Sequence, residues 1–91
     1  MKLQWTSSAL ADVVRLYDFL SPVNAAAAAR TVQSLAVAPA KLLQQLRIGE
    51  RLEEFAPREV RRLLVGRYEI RYELRAASIY ILRIWHTRED R

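Results

Sequence analysis

The 91-residue chain has no cysteine, one histidine, two glycines and three prolines. The absence of cysteine excludes a disulfide framework and thiolate metal ligands, and one histidine cannot make a zinc site alone. Two glycines do not supply a phosphate-cradling loop, and no nucleophile elbow is present. No apolar stretch approaches the roughly 18–20 residues of a membrane span. Polar residues 6–8 also interrupt the N-terminus before a signal-peptide core develops. We expect a cytoplasmic protein with no membrane segment, metal or cofactor.

The charge is strongly unbalanced, because the formal net charge is +5 and 13 of the 15 basic residues are arginine. Eleven of these arginines lie at or after Arg47. Guanidinium groups suit the recognition of phosphate and carboxylate. A basic surface therefore predicts an acidic partner, either nucleic acid or an acidic protein. The alternative is that arginine solubilises the edges of a sheet and reflects a GC-rich genome.

The C-terminal half predicts three strands. Residues 68–75 alternate between apolar and charged side chains, which is typical of a half-buried strand. The run Ile79–Trp85 is apolar at nearly every position, as in a central strand with both faces covered. Val60–Val65 predicts a further strand, which a turn at Gly66-Arg67 joins to the next. We therefore expect a three-stranded antiparallel meander.

The N-terminal half predicts a short edge strand at Lys2–Trp5 and two helices. Hydroxyl side chains at positions 6–8 precede an apolar stripe over about residues 8–20, and Asp12 lies near the helix start, where the dipole favours an acid. Asn24 is a suitable N-cap for the second helix, and the five alanines that follow have the highest helix propensity. Pro39 predicts a kink or a break before the helical pattern resumes, and Gly49 predicts the end of that pattern.

These elements predict an α+β fold in the order β-α-α-β-β-β. An antiparallel helix hairpin packs on one face of an antiparallel sheet, and residues 1–91 form a single domain. The segment 50–59 is predicted to be a connection that Leu52 and Phe55 pin to the core. The following side chains are predicted to be buried: Leu10, Val14, Tyr17, Val32, Leu35, Ile70, Tyr72, Leu82 and Ile84.

The other face of the sheet is predicted to carry Glu69, Arg71, Glu73 and Arg75. On the last strand, strict alternation places Tyr80, Leu82, Ile84 and His86 on one face and Ile79, Ile81, Arg83 and Trp85 on the other. Arg83 is the one charge within an apolar run, so it needs a partner. That partner is either Glu69 or Glu73 in a salt bridge, or an external phosphate or carboxylate.

His86 lies two residues before Arg88, and an imidazole acts as a general acid or base near neutral pH. The alternative is a hydrogen-bonding histidine at the surface. We predict contacts to a target or partner by six residues: Arg61, Arg71, Arg83, Trp85, His86 and Arg88.

The chain resembles the RelE/ParE superfamily of type II toxin–antitoxin toxins over nearly its whole length. The residues that carry the resemblance are Trp5-Thr6, Ala9, Asp12, Asn24, Ala26-Ala27, Arg61, Leu63, Gly66, Tyr68-x-Ile70-x-Tyr72 and Ile81-x-Arg83-x-x-His86-x-Arg88. The resemblance implies a small basic toxin that a co-encoded acidic antitoxin neutralises with a flexible tail. It also implies that operator DNA is contacted only through the antitoxin.

The superfamily contains RelE-like toxins that cut mRNA on the ribosome and ParE-like toxins that poison DNA gyrase. Glu69 stands where RelE-like toxins place an arginine, and a carboxylate repels a scissile phosphate. The chain ends at Arg91 without a segment for the RelE-type tyrosine, and the connection before Val60 is acidic and lacks lysine. These features favour a ParE-like toxin that acts by binding.

Two alternatives remain open. Arg61, Arg83, His86 and Arg88 form a reduced phosphate site if the chain is an mRNA endonuclease that acts on the ribosome. The chain is otherwise a family member that has lost toxicity and serves only as an interaction partner.

Overall fold

The computed structural model describes residues 1–89. It contains one five-stranded sheet in the order β1-β5-β4-β3-β2. The strands are β1 Lys2–Trp5, β2 Glu50–Arg51, β3 Glu59–Val65, β4 Tyr68–Arg75 and β5 Ser78–His86. Strands β3, β4 and β5 form the predicted antiparallel meander. The sheet is mixed, because β1 pairs in parallel with β5, whereas the other pairings are antiparallel as predicted for the sheet. Part of the predicted connection also forms the two-residue strand β2, which pairs with β3.

Two helices precede the meander: α1 Ser7–Leu20 and α2 Ala25–Val37. Both begin at predicted N-caps, since the side chains of Thr6 and Asn24 accept hydrogen bonds from the N–H groups of Ala9 and Ala27. Helix α2 ends at Val37 and a 3₁₀ helix follows over Ala38–Leu43. Pro39 thus marks the predicted break, because it has no N–H for the α-helical ladder.

Gly49 does not end a helix, contrary to the prediction, because the 3₁₀ helix stops at Leu43. Gly49 is buried, and its N–H donates to the Tyr72 hydroxyl at 3.0 Å. The same hydroxyl donates to the carbonyl oxygen of Leu46 at 2.9 Å. A Cβ atom at Gly49 would lie only 2.6 Å from the carbonyl oxygen of Arg62. Glycine is therefore needed for close backbone packing at this point.

The core lies between the helices and one face of the sheet. Leu35, Ile70, Tyr72 and Ile84 are buried as predicted. The prediction is wrong on α1, because Leu10, Val14 and Tyr17 are exposed by 54%, 60% and 38%. Val32 and Leu82 are only half-buried. The buried residues of α1 are instead Ala9, Asp12 and Leu16. The inward face of α1 thus includes a small residue and a charged one. A search for large apolar residues at helical spacing does not identify such a face.

A bulge in β5 changes which side chains face the core. Arg71 pairs with Arg83 and Tyr72 pairs with Ile81, so Leu82 is the extra residue of β5. The predicted strict alternation is therefore wrong beyond Ile81. The core face receives Ile79, Ile81 and Ile84. Trp85 lies on the opposite face with its cross-strand neighbour Glu69.

Helix α1 and its N-cap residue supply hydrogen-bond partners for the backbone of β5 beyond the point where the pairing of β5 with β1 ends. The Thr6 hydroxyl lies 2.8 Å from the carbonyl oxygen of Ile81. One carboxylate oxygen of Asp12 accepts from the N–H of Ile84 at 2.8 Å, and Arg15 donates to the Ile84 carbonyl oxygen at 3.1 Å. These side chains replace strand-pairing hydrogen bonds that the bulged segment would otherwise lack.

Asp12 is 3% exposed and also pairs with Arg83, whose Nε and Nη2 atoms donate to its two oxygens at 2.8 and 3.1 Å. Burial alone would raise the pKa of Asp12, but the bonds from Arg83 and the Ile84 N–H outweigh it and lower the pKa. Asp12 is therefore an ionised group in the fold. The prediction that it serves the helix dipole misses this role.

Truncation of the core face of β4 tests the orientation of that strand. Ile70 is fully buried, so Ile70→Ala should lower the free energy of unfolding by about 2–5 kcal/mol. Leu64→Ala, at a side chain 55% exposed on the adjacent strand, should change it by less than about 0.5 kcal/mol. Urea denaturation measures both. Equal losses in the two variants would contradict the burial pattern.

Replacement of Asp12 tests the ionised pair through its pH dependence. Asp12→Asn should lower the free energy of unfolding by about 1.5–3 kcal/mol at pH 7, as expected for bonds to a charged group. The unfolded chain binds the Asp12 proton more readily than the folded chain, so this stabilisation is lost as pH falls below about 4.

Urea denaturation at pH 7, 4 and 3 should therefore show the gap between wild type and Asp12→Asn narrowing with acid. Glu59 and Glu73 also have lowered pKa values, but both proteins retain them, so their contribution cancels. Asp18→Asn on the exposed side of α1 is the control and should follow wild type. A constant gap across this pH range would contradict the assignment.

Candidate functional site

The six predicted contact residues fall into three separate groups in the structure. Arg61 forms the first group with the chain around Gly49. Its guanidinium donates to Glu59 at 2.9 Å and to the carbonyl oxygen of Gly49 at 2.7 Å. Arg47 bonds the same carboxylate, and the bonds from Arg47 and then Arg61 outweigh burial to lower the pKa of Glu59. Arg61 is thus committed to an internal ion pair.

Arg71, Arg83 and Trp85 form the second group, on the sheet face away from the helices. The guanidinium carbon of Arg71 lies 4.7 Å from the Trp85 ring centroid, and that of Arg83 lies 5.5 Å from it. Arg71 also stacks over Phe55 at 5.3 Å. These are cation–π distances. The arrangement is a layer of guanidinium groups over an aromatic surface.

Internal carboxylates neutralise most of this layer. Glu69 and Glu73 are 1% and 3% exposed, beneath arginines from β3, β4 and the segment before β3. Arg71 bonds Glu69 at 3.0 Å and Arg58 bonds Glu73 at 2.9 Å. The predicted pairing of Arg83 with Glu69 or Glu73 is wrong, since Arg83 pairs with Asp12 from α1. The acidic side chains therefore act as an inner layer beneath the arginines.

His86 and Arg88 form the third group, together with Tyr68 from β4. The rings of Tyr68 and His86 meet edge to face with centroids 5.1 Å apart. Nδ1 of His86 accepts from the N–H of Arg88 at 3.0 Å. Burial, followed by the Glu89 carboxylate, raises the pKa of Tyr68. The phenol is therefore a hydrogen-bond donor at neutral pH and not a base.

Two clefts flank the Tyr68–His86 pair, and we call them the α1 cleft and the α2 cleft. The α1 cleft has a volume of about 530 Å³ and is lined by Arg15, Leu16, Phe19, Leu20, Tyr68, His86, Arg88 and Glu89. The α2 cleft has a volume of about 370 Å³ and is lined by Arg30, Thr31, Ser34, Leu35, Val65, Gly66, Arg67, Tyr68 and His86. Both volumes fall within the size range of ligand-binding clefts.

The clefts are basic at their rims. Arg15 contacts the Glu89 carboxylate, and the other oxygen of Glu89 accepts from the N–H of His86 at 2.7 Å. Within residues 1–89, no acidic side chain lies within ion-pair distance of Arg30, Arg67 or Arg88. The rim therefore retains positive charge that the described chain does not neutralise.

The sequence interpretation identified His86 and Arg88 at this site but missed the residues that complete it. Arg15 and Phe19 come from α1, Arg30 from α2 and Arg67 from the turn before β4. No motif connects these positions, because only the helix hairpin packed beside β4 and β5 brings them together. One available signal in the sequence is Phe19, a large apolar residue that lies outside the inward stripe of α1. In the structure its side chain is 76% exposed.

Among the described residues, no three His, Cys, Asp or Glu side chains are placed to hold a metal ion. No helix in residues 1–89 is both long enough and apolar enough to cross a bilayer.

A protein-family profile described as ParE toxin of type II toxin–antitoxin system, parDE, matches residues 3–91. The chain is also similar to a solved structure titled "Chromosomal ParDE TA system from P. aeruginosa". The TM-score is 0.78 at 27% sequence identity, over 94% of this chain and 95% of that chain. A search of curated protein sequences finds no match. The profile covers nearly the whole chain, and the chain belongs to the ParE toxin family of type II toxin–antitoxin systems.

Proposed function

We propose that this ParE-family toxin acts in the cytoplasm by binding DNA gyrase, and that a cognate acidic antitoxin holds it inactive. The observation that carries the proposal is the separation of the groups needed for phosphate chemistry. Arg61 and Arg83 bind the internal carboxylates of Glu59 and Asp12, whereas His86 and Arg88 lie at the α1 cleft. Catalysis on a scissile phosphate requires such groups to converge within hydrogen-bond reach of one site.

The strand register supports this separation. Arg61 lies opposite Tyr72 on β4, whereas His86 lies opposite Tyr68. Four residues of strand separate these positions, a distance of roughly 13 Å. The two groups also belong to different strands on either side of β4. A binding surface does not require these groups to converge, so the arrangement favours a toxin that acts by docking.

The antitoxin is proposed to cover an apolar stripe on α1 formed by Leu10, Val14 and Tyr17, here called the outer stripe. These residues recur at i, i+4 and i+7, so they share one side of the helix. All three are exposed although they are large and apolar. An amphipathic acidic segment would bury this stripe while its charges meet a chain of net charge +5. Operator DNA would then be contacted only through the antitoxin.

Gyrase inhibition is directly measurable. Purified toxin at micromolar concentration should inhibit the supercoiling activity of the gyrase holoenzyme or trap cleaved DNA, and stoichiometric antitoxin should reverse the effect. Toxin boiled before addition is the control for nonspecific effects of a basic protein. Unaffected supercoiling, together with cleaved message in expressing cells, would contradict gyrase as the target.

An mRNA endonuclease that acts on the ribosome is the second candidate, because Tyr68, His86 and Arg88 line the same cleft. Its other two proposed residues, Arg61 and Arg83, lie in two different groups. This candidate predicts discrete new 5′ ends by primer extension on translated mRNA. It fails if His86→Ala and Arg88→Ala both leave toxicity unchanged. A chain that causes no growth defect without antitoxin would instead be a partner protein that has lost toxicity.

A charge within the outer stripe should separate antitoxin binding from folding. Val14 is 60% exposed, so Val14→Asp should leave the free energy of unfolding within about 0.5 kcal/mol of wild type. The same change should weaken antitoxin binding by about tenfold or more, because a buried apolar contact becomes an unpaired charge. Gln33→Asp, which adds the same charge at an exposed position of α2, is the control. Isothermal titration calorimetry measures the antitoxin affinity of both variants, and equal affinities would exclude the outer stripe as the antitoxin contact.

A further inference from the structure

We propose that the α1 and α2 clefts are the surface that engages the toxin's target, distinct from the outer stripe assigned to the antitoxin. The ligand is a protein segment with a large apolar side chain next to carboxylates. The inference rests on the proposed function to the extent that the toxin acts by binding a protein.

The floor of the α1 cleft selects for an apolar group. Leu16, Phe19, Leu20 and Tyr68 line it, and Phe19 is 76% exposed. A large apolar side chain that enters this cleft would cover the Phe19 ring and remove apolar surface from water. Inorganic phosphate and a sugar–phosphate backbone offer no apolar group for this floor, and a nucleobase would use its aromatic rings but not its leucines. The floor therefore favours a protein segment as the ligand.

The rim selects for carboxylates. Glu89 already bonds Arg15 and the N–H of His86, so a carboxylate from the chain itself occupies one position beside the α1 cleft. Arg88 at this cleft and Arg30 and Arg67 at the α2 cleft have no acidic partner within residues 1–89. An acidic segment that crosses the Tyr68–His86 pair would meet these guanidinium groups on both sides. The charge of the rim thus complements the proposed ligand.

Helix geometry separates the two surfaces. With about 100° of rotation per residue, Leu10, Val14 and Tyr17 cluster on one side of α1. The same rotation per residue places the α1 residues that line the cleft roughly on the opposite side of the helix. These residues are Arg15, Leu16, Phe19 and Leu20. The outer stripe therefore faces away from the α1 cleft, whereas the opposite side of α1 packs on the sheet and borders the cleft toward its C-terminal end. Substitutions on the cleft side should affect toxicity without a direct effect on antitoxin contact.

The test compares two cleft variants with matched controls. The double variant Arg30→Glu/Arg88→Glu reverses two rim charges, and Phe19→Ser removes the exposed ring from the floor. Lys41→Glu/Arg51→Glu reverses two exposed charges that line neither cleft, and Val37→Ser removes an exposed apolar side chain of α2. Each protein is expressed from a titratable promoter to measure growth arrest. Each is also co-expressed with the antitoxin to measure co-purification, and circular dichroism confirms folding.

Both cleft variants should require about tenfold more toxin for growth arrest, as for the loss of one central contact, and should still co-purify with antitoxin. Both controls should match wild type. Folded cleft variants that arrest growth at the wild-type level would overturn the inference. Joint loss of arrest and antitoxin binding would also overturn it, because the antitoxin would then occupy the clefts.

If the charge-reversal variant does not fold, Phe19→Ser at its exposed position decides the result. Wild-type arrest that is accompanied by mRNA cleavage, with the cleavage lost in Arg30→Glu/Arg88→Glu, would assign the rim to RNA phosphate and overturn the acidic ligand. Wild-type arrest with unaffected gyrase would refute the proposed target only. In that case the inference stands if the cleft variants lose arrest. A wild-type chain that leaves growth unchanged would overturn it.

Discussion

The structure depends on one ionised carboxylate in an unusual place. Asp12 projects from α1 onto the bulged segment of β5, where it accepts from the N–H of Ile84 and pairs with Arg83. Burial alone disfavours this charge, but charge-assisted bonds outweigh burial and keep the group ionised. The contact fixes α1 against the sheet. The position of α1 in turn places Arg15 and Phe19 beside Tyr68 and His86 at the α1 cleft.

The arginines of this chain have two different roles. Arg58, Arg61, Arg71 and Arg83 each bond a carboxylate of the same chain, and most of those carboxylates are buried. Such pairs satisfy buried charge and contribute to the shape of the surface more than to its potential. Arg88, together with Arg30 and Arg67, remains without an acidic partner in the described chain, and all three lie at the clefts. A count of arginines therefore overstates the positive charge that is available to a partner. The location of the unpaired guanidinium groups matters more than the total number of arginines.

Much of the fold was predictable because local rules decide it. The N-caps at Thr6 and Asn24, the break at Pro39 and the core-facing side of β4 all depend on residues close in sequence. The failures share a different cause. The bulge at Leu82 changes the side-chain alternation of β5, and the inward side of α1 carries a charge and an alanine beside its one buried leucine. Both features depend on a contact between segments about 70 residues apart.

The sequence alone determined the order of the helices and the main strands and the excess of arginine, because periodicity, capping residues and composition are local or summed properties. The tertiary structure decided the partner of Arg83, the parallel pairing of β1 with β5 and the residues that meet at the clefts. The sequence does not distinguish an arginine that pairs with an internal carboxylate from one that has no such partner. Which of them finds an internal carboxylate depends on the three-dimensional packing of α1 and the meander. That packing leaves positive charge at the rims of the clefts.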